Sequence, residues 1–231
     1  MIPWPAPLPP PQVRTVQEMR KVLADPDCPC SEPLYFMYRD LSLSDADAAW
    51  LREERLRYDM TVIPARVLCG EFVKTKGHFH PENPRGTRYP EIYEVLGGAA
   101  CFLLQDPGPS DVVAIRARAG EKVVVPPGYG HVTLNMGRAT LTMVNMVSTA
   151  FRSLYGDYER MQGAAYYAFT GRGFAPNPRY GHPPPLRVLR ARDLTSLRGL
   201  PKESLYHWIG NAGALRFLNY PEEYPGLVSL P

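Results

Sequence analysis

The centre of the chain reads Glu91-Ile-Tyr-Glu-Val-Leu-Gly-Gly-Ala-Ala-Cys-Phe-Leu-Leu-Gln105. Two apolar runs, Glu91–Leu96 and Ala99–Gln105, flank the turn signal Gly97-Gly98. Short runs rich in aromatic and branched residues on either side of paired glycines predict two strands joined by a tight turn. The middle of the chain is therefore expected to belong to a β-sheet.

The same pattern of short predicted strands and turns continues on both sides of these two strands. Turns are indicated by Asp106-Pro107-Gly108, Pro126-Pro127-Gly128 and Met136-Gly137. The further candidate strands are Tyr58–Ile63, Glu71–His80, Asp111–Ala117, Lys122–Val125, His131–Asn135 and Thr140–Ser148. So many short strands with no helix between them predict an all-β-dominated protein with a jelly-roll β-barrel.

Helical signals lie outside this β region. Thr15 and Glu18 fit a capping box, and the helix they start is expected to end at Asp25-Pro26. The remaining predicted elements are helices at Ser44–Arg55 and Lys202–Ile209 and strands at Tyr166–Thr170 and Leu186–Arg190. We expect a Pro-rich arm at 1–12, a jelly-roll domain with N-terminal helical elements at 13–170, and a mixed C-terminal extension at 171–231 packed on the same domain.

Composition excludes several classes of protein. The chain has 231 residues, of which 45% are hydrophobic, and its net charge is only +3. This balance argues against a nucleic-acid partner, and no apolar run is long enough for a membrane span. The N-terminal stretch lacks the basic and apolar regions of a secretory signal, and four Cys are too few for a disulfide framework. We therefore expect a cytoplasmic protein in which Cys69 and Cys101 are core thiols.

Three of the five histidines lie in the β region, at His78, His80 and His131. Residues two apart in a strand point the same way, so His78 and His80 share one face. Glu91 opens the next strand, and His131 follows the Pro126-Pro127-Gly128 turn. Three imidazoles and one carboxylate at strand ends inside a jelly roll predict a metal site, although a solvent-facing polar patch is the alternative.

Three stretches of the chain carry a resemblance to a known family. They are Thr75-Lys-Gly-His-Phe-His80 with Glu91-Ile-Tyr93, the segment Val125-Pro-Pro-Gly-Tyr-Gly-His131, and Thr61 placed fourteen residues before Thr75. By these motifs the chain resembles the cupin superfamily and, within it, the archaeal-type glucose-6-phosphate isomerases.

The resemblance implies a function and a set of site residues. It implies a homodimeric, metal-dependent aldose–ketose isomerase that interconverts glucose 6-phosphate and fructose 6-phosphate in glycolysis and gluconeogenesis. The implied metal ligands, for one divalent ion (Fe, Mn, Ni or Zn) per subunit, are His78, His80, Glu91 and His131. The residues implied around the substrate are Thr61, Thr75 and Gly77 at the phosphate and Tyr93 and Tyr158 at the sugar.

The chemistry of these residues agrees with an isomerase. Glu91 is the first candidate to move a proton between C2 and C1 of the sugar, with Tyr93 as the second. A hydride shift would need no base, and the sequence does not choose between the two routes. A cupin dioxygenase and a non-catalytic sugar-binding cupin are the competing interpretations.

The phosphate has other candidate partners. Lys76, Arg85 and Arg88 could also hold a dianion. Lys76 follows Thr75 in a predicted strand and is therefore expected to point away from it, which favours a structural role for Lys76.

Overall fold

The computed structural model describes residues 8–194, 199–226 and 230. Residues 1–7 of the predicted Pro-rich arm, and 195–198, 227–229 and 231 of the predicted C-terminal extension, lie outside the described residues. The strands are β1 (Gln12–Thr15), β2 (Pro33–Tyr38), β3 (Leu56–Ile63), β4 (Val67–Leu68), β5 (Glu71–Phe72), β6 (Glu91–Gly97), β7 (Ala99–Gln105), β8 (Val112–Arg118), β9 (Lys122–Val125), β10 (Gly130–Leu134), β11 (Leu141–Ser148), β12 (Tyr166–Phe169), β13 (Gly173–Pro176) and β14 (Arg187–Arg190). The α-helices are α1 (Val16–Met19), α2 (Asp45–Glu53), α3 (Gly156–Arg160) and α4 (Ala212–Leu215), and short 3-10 helices span Arg20–Val22, Pro178–Tyr180, Ala191–Asp193, Leu205–Trp208, Arg216–Leu218 and Pro221–Glu223.

Two sheets form the body of the molecule. A six-stranded sheet has the order β1-β2-β3-β11-β6-β9, and a four-stranded sheet has the order β10-β7-β8-β14. A small third sheet, β13-β12-β5-β4, lies beside them. The predicted all-β jelly roll is confirmed by this architecture.

The central hairpin sets the pairing of the two main sheets. β6 belongs to the first sheet and β7 to the second, and the chain passes between them at Gly97-Gly98. Gly98 has φ +78°, and a Cβ there would lie 2.7 Å from the carbonyl oxygen of Thr140. Only glycine fits such a left-handed turn against backbone, so the turn predicted from the sequence has a direct steric cause.

The helix starts follow the predicted caps, but the helices are shorter than predicted. The Thr15 hydroxyl accepts from the Glu18 N–H, and the Glu18 carboxylate accepts from the Thr15 N–H at 2.9 Å. The Ser44 side chain caps α2 by accepting from the Asp47 N–H. The helix expected up to Asp25 is the four-residue α1 followed by one 3-10 turn. The helix expected at Lys202–Ile209 is a single 3-10 turn.

The strand predicted at Glu71–His80 is wrong in its middle. After β5, isolated bridges at Lys74, His78 and Phe79 replace a continuous ladder. The strict alternation of side chains is therefore lost between Val73 and His80.

A disulfide joins Cys28 to Cys69, so the prediction that Cys69 is a free core thiol is wrong. Cys101 is a buried free thiol, as predicted, and Cys30 is free and half-buried. Sequence spacing alone does not reveal such a pair, because 41 residues separate its members.

Two apolar clusters lie on opposite faces of the six-stranded sheet. The first fills the space between the sheets and includes Phe102, Ile115 and Val132. The second covers the outer face, where Trp208 and Phe217 of the C-terminal segment pack on the sheet. In the described ranges, no helix has the length and apolar character that crossing a bilayer requires.

Candidate metal centre

The four predicted metal ligands meet between the two sheets. Their ligand atoms all lie within 4.8 Å of one another. The Glu91 Oε2 atom lies 3.4 Å from His80 Nε2 and 3.4 Å from His131 Nε2. His78 Nε2 lies 3.2 Å from His80 Nε2. The side chains are thus arranged around one point.

Three separate elements bring these side chains together. Glu91 opens β6, His131 lies in β10, and His78 and His80 lie in the irregular segment after β5. The His78 segment is fixed by a backbone bridge, in which His131 N–H donates to the His78 carbonyl at 3.1 Å. The group of four side chains His78, His80, Glu91 and His131, called the metal cluster below, therefore bridges the two sheets of the jelly roll.

Hydrogen bonds fix which nitrogen of the His78 and His80 imidazoles faces the cluster. His80 Nδ1 lies 2.8 Å from the Tyr89 carbonyl oxygen, and His78 Nδ1 lies 3.3 Å from the Lys76 carbonyl oxygen. A carbonyl only accepts, so each Nδ1 carries the proton and each Nε2 presents a lone pair. Two lone pairs facing each other at 3.2 Å repel unless a cation lies between them, and the residues present therefore fit a metal ion.

Burial keeps the His78 and His131 imidazoles neutral. Burial, reinforced by the neighbouring His80, lowers the pKa of His78 to about 4. Burial and the two other histidines lower the pKa of His131 well below its usual range. Neutral imidazole is the form that binds metals, so the His/Glu cluster could hold a metal ion at neutral pH.

Asn145 orients the carboxylate of the cluster. Its Nδ2 donates to Glu91 Oε1 at 2.7 Å, and both side chains are buried. This leaves Oε2 directed at the histidines. Partners that hold metal-ligating side chains in this way support metal affinity, and the sequence alone gave no signal for Asn145.

The cluster faces a cavity of about 460 Å³. Thr61, Thr75 and Tyr93, all predicted from the family resemblance, lie on its wall. The Thr75 hydroxyl oxygen accepts from the Thr133 N–H at 2.9 Å, which leaves the hydroxyl proton free to donate. The Tyr93 hydroxyl lies 3.0 Å from His131 Nε2.

Two predicted substrate residues lie outside the cavity lining. Tyr158 is fully buried, with 1% of its surface exposed, and it packs against Phe79. A Cβ at Gly77 would lie 2.2 Å from Tyr158 Cδ1, so this glycine makes room for the tyrosine ring. Tyr155 occupies the cavity wall instead, with its ring centroid 5.4 Å from that of His78.

The alternative phosphate residues are arranged differently from the prediction. Lys76 and Thr75 both line the cavity, so the expectation that they point apart is wrong, because the strand is interrupted there. Lys76 Nζ forms an ion pair with Glu159 at 2.6 Å. Arg85 pairs with Glu222 at 3.0 Å, and Arg88 donates to the His80 carbonyl at 2.8 Å; neither lines the cavity.

Sequence reasoning missed most of the positive charge in the cavity. The further basic side chains on its wall are Arg14, Arg39, Arg57 and Arg152. Arg14 and Arg39 come from β1 and the end of β2, which the sequence pattern did not identify as strands. The signal that was available is the run of large apolar and aromatic side chains at Leu34-Tyr-Phe-Met-Tyr38, a composition typical of strands.

A two-sheet jelly roll with three histidines and a glutamate between its sheets defines a cupin-type protein with a candidate metal centre. The family model described as Glucose-6-phosphate isomerase (GPI) matches residues 13–182. The chain belongs to this family.

Relatives of known name agree with the family match. A glucose-6-phosphate isomerase of Pyrococcus furiosus is 37% identical over 86 residues, which are 37% of this chain and 43% of that protein. The enzyme of the same name from Thermococcus litoralis is 35% identical over 86 residues, with the same coverage. The match thus spans less than half the length of these relatives.

Solved structures show weaker likeness. An oxalate oxidase structure has a TM-score of 0.40 at 18% identity, covering 52% of this chain and 54% of that chain. A mutant of Bacillus subtilis oxalate decarboxylase has a TM-score of 0.38 at 13% identity, and the match covers 54% of this chain and 29% of that chain. These scores carry no argument about function.

Proposed function

We propose that this protein is a metal-dependent aldose–ketose isomerase that interconverts glucose 6-phosphate and fructose 6-phosphate. The observation that carries the proposal is the His78, His80, Glu91, His131 cluster opening into a cavity with hydroxyl and cationic side chains. Such a cavity suits a polyhydroxylated anion, and the chain's family supplies the reaction class.

The ligand set accepts one divalent transition metal per subunit, and Fe, Mn, Ni and Zn all suit imidazole and carboxylate donors. The residues that would hold it are His78, His80, Glu91 and His131. When bound, such an ion would polarise the sugar carbonyl and stabilise the negative charge of an enediolate.

Tyr93 and Glu91 divide the proton chemistry in this proposal. Burial and the neighbouring Glu91 carboxylate raise the pKa of Tyr93 well above its usual range. Tyr93 therefore stays protonated at neutral pH and can donate to a sugar oxygen, but it is a poor base. This leaves Glu91 to carry the proton from C2 to C1.

The phosphate end of the substrate is proposed to lie at Thr61 and Thr75. Each hydroxyl can donate to a phosphate oxygen, and Lys76 and Arg14 add positive charge to the same cavity. Tyr155 replaces the buried Tyr158 as the aromatic side chain available to the sugar. Gly77 supports this end by admitting the Tyr158 ring.

A coupled assay tests the proposed function directly. Fructose 6-phosphate conversion should be present in the metal-loaded protein, disappear with a chelator and return with added metal. Oxygen uptake with a thiol, diketone or aromatic acid, without sugar isomerisation, would contradict the proposal and favour a cupin dioxygenase. Metal-independent sugar binding without turnover would indicate a binding protein instead.

An isotope experiment separates the two chemical routes. Glucose 6-phosphate deuterated at C2 should lose at least part of its label to solvent if Glu91 carries the proton, because a protonated carboxylate exchanges with water. Complete retention of the label at C1 would indicate a hydride shift and would remove the need for Glu91 as a base.

Location and assembly remain predictions of this proposal. We propose a cytoplasmic homodimer, because the substrate belongs to central sugar metabolism and, among the residues that the structure describes, β1 is an edge strand of the six-stranded sheet. Light scattering at micromolar concentration should give twice the chain mass of 25.9 kDa. A monomer would contradict the dimer and leave the isomerase proposal intact.

A further inference from the structure

A second charged cluster lies beside the metal cluster on the inner face of the six-stranded sheet. Its centre is Asp59, which is fully buried in the middle of β3. Arg39 Nη1 donates to Asp59 Oδ2 at 2.6 Å, and Arg57 Nε donates to the same oxygen at 2.8 Å. The Asp40 N–H donates to Asp59 Oδ1 at 3.0 Å.

The strand register places this cluster next to the carboxylate of the metal cluster. Asp59 pairs with Asn145 across β3 and β11, and Asn145 pairs with Tyr93 across β11 and β6. Asn145 is the residue that holds Glu91. Arg39 and Glu91 therefore lie on one sheet face and line the same cavity.

Asp59 has two other partners besides Arg39. Arg57 donates a hydrogen bond to Asp59 Oδ2, and the Asp40 N–H donates one to Asp59 Oδ1. Asp40 adopts φ 54°, a left-handed conformation that aspartate tolerates at some cost. The chain thus turns sharply just after Arg39, and this turn holds the guanidinium over the cavity.

The Arg39 guanidinium retains unused donors. A guanidinium has five N–H groups. Within the described residues, the recorded partners of Arg39 are Asp59 and the Met37 Sδ atom, 3.1 Å from Nη2, which is a weak acceptor. Its side chain is 29% exposed. A cation held by Asp59 therefore faces the cavity with N–H groups that a bound ligand could take over from water.

The electrostatic surroundings agree with this geometry. Burial alone would lower the pKa of Arg39, but Asp59, followed by Glu91 and Tyr93, raises it. Arg39 is thus charged, and it lies close enough to Glu91 and Tyr93 to interact with both electrostatically.

We propose that Arg39 is a further substrate-binding residue, which donates hydrogen bonds to the oxygens of the sugar where negative charge develops during isomerisation. Asp59 is the positioning residue that fixes the guanidinium. The inference rests on the proposed isomerase function and adds a cation dedicated to the reacting end of the sugar rather than to its phosphate. Positively charged groups placed in advance at developing negative charge are among the largest sources of rate enhancement.

Two analogues separate this role from phosphate binding. The five-carbon aldonic acid 5-phosphate carries a carboxylate where the enediolate charge develops, whereas sorbitol 6-phosphate is a neutral polyol at that end. Calorimetric titration of metal-loaded Arg39→Gln should show the acid bound about ten- to a hundredfold more weakly than by the wild type. Sorbitol 6-phosphate should bind within about twofold of its affinity for the wild type, because the oxygens at its reacting end carry no negative charge for Arg39 to stabilise.

Turnover and controls sharpen the same test. For Arg39→Gln, kcat should fall about ten- to a hundredfold with a smaller change in the KM for glucose 6-phosphate. The kcat of Arg39→Lys should lie between those of the wild type and Arg39→Gln, because lysine keeps the positive charge but lacks the planar guanidinium. Arg85→Gln removes the same charge outside the cavity and should leave both analogue affinities unchanged.

The possible results are distinguishable. Equal weakening of both analogues, an unchanged affinity for the acid, or loss of bound metal in both Arg39 variants would overturn the role of Arg39. A wild-type protein that isomerises sugar phosphates while Arg39→Gln matches its kcat would overturn this inference alone. A wild-type protein that binds neither analogue and turns over no sugar phosphate would reject the proposed function together with it.

Discussion

The two faces of the six-stranded sheet differ in chemistry although the same strands build both. On the inner face, β3, β6 and β11 present Asp59, Glu91 and Asn145. One residue along each strand, the outer face presents Met60, Ile92 and Met146, which are buried under the C-terminal segment. Successive residues of a strand point to opposite faces, so each strand serves a polar cavity and an apolar core at once.

The comparison separates where stability arises from where function arises. Buried charge on the inner face costs desolvation and is compensated only by specific partners. The outer face gains stability from apolar area removed from water. The family match ends at residue 182, and the segment that covers the outer face follows it. Mutations on the two faces should therefore have different signatures.

The largest effect is expected on the inner face, for His80→Ala. Removing one of four ligands should cost more than the ten- to hundredfold loss of metal affinity typical of supporting residues, and isomerase activity should disappear. Metal analysis and the coupled assay measure both. His182→Ala, which removes an exposed histidine outside the cavity, is the control. Full metal occupancy in His80→Ala would exclude His80 from the ligand set.

The outer face should respond to Phe217→Ala with a loss of stability. Phe217 is 1% exposed, and a buried Phe→Ala change costs about 3–5 kcal/mol of unfolding free energy. Urea denaturation measures this loss, and kcat per folded molecule should stay unchanged. Val188→Ala, at a side chain that is 51% exposed, is the control. A Phe217 variant with normal stability and reduced kcat would reverse the assignment of the two faces.

Asn145→Ala should sharpen the comparison further. Losing its hydrogen bond to Glu91 should weaken metal binding about ten- to a hundredfold. Competition with a chelator of known affinity measures the change. Asn219→Ala is the control, because it removes an amide that donates to the Glu54 carbonyl near the outer face. Its metal affinity should equal that of the wild type. Equal metal affinities in wild type and Asn145→Ala would show that Glu91 needs no support.

The smallest effect is expected away from both faces, at β14, the edge strand of the four-stranded sheet. Arg187 of β14 donates to Asp111 through Nε at 2.9 Å and Nη2 at 2.7 Å. These hydrogen bonds, chiefly, lower the pKa of Asp111. A carboxylate with a depressed folded-state pKa stabilises the protein above its unfolded value of about 4, and this stabilisation is lost as the pH falls through the folded value.

Asp111→Asn should accordingly be less stable than wild type at pH 7 by at most about 1 kcal/mol, because the pair is partly exposed. The difference should shrink towards zero as the pH falls through the lowered folded-state pKa of Asp111. Urea denaturation at several pH values gives both curves. A constant difference from pH 7 to pH 3 would mean that the carboxylate charge at this position does not stabilise the fold.

Much of the fold and the metal cluster could be predicted from the sequence, because both depend on local patterns. The Gly97-Gly98 turn and the capping box at Thr15 are signals within a few residues, and both are present. The metal cluster follows from His78 and His80 two residues apart and from a histidine after a tight turn.

What the sequence did not reveal depends on long-range register. Arg39 reaches the cavity only because β2 pairs with β3, and β2 carries no clear turn or alternation signal. The position of Lys76 was mispredicted because a strand was extended through an irregular segment. The Cys28–Cys69 pair was missed because pairing is decided by folded distance.

The disulfide also changes the connectivity of the molecule. It closes residues 28–69 into a covalent ring, and that ring contains Arg39, Arg57, Asp59 and Thr61. A single peptide cleavage inside the ring opens it without dividing the molecule, whereas a cleavage after Cys69 yields two separate pieces of chain. Electrophoresis of nicked protein with and without a thiol would read this difference directly. A single cut within residues 28–69 therefore leaves the Asp59 cluster covalently attached to the rest of the chain.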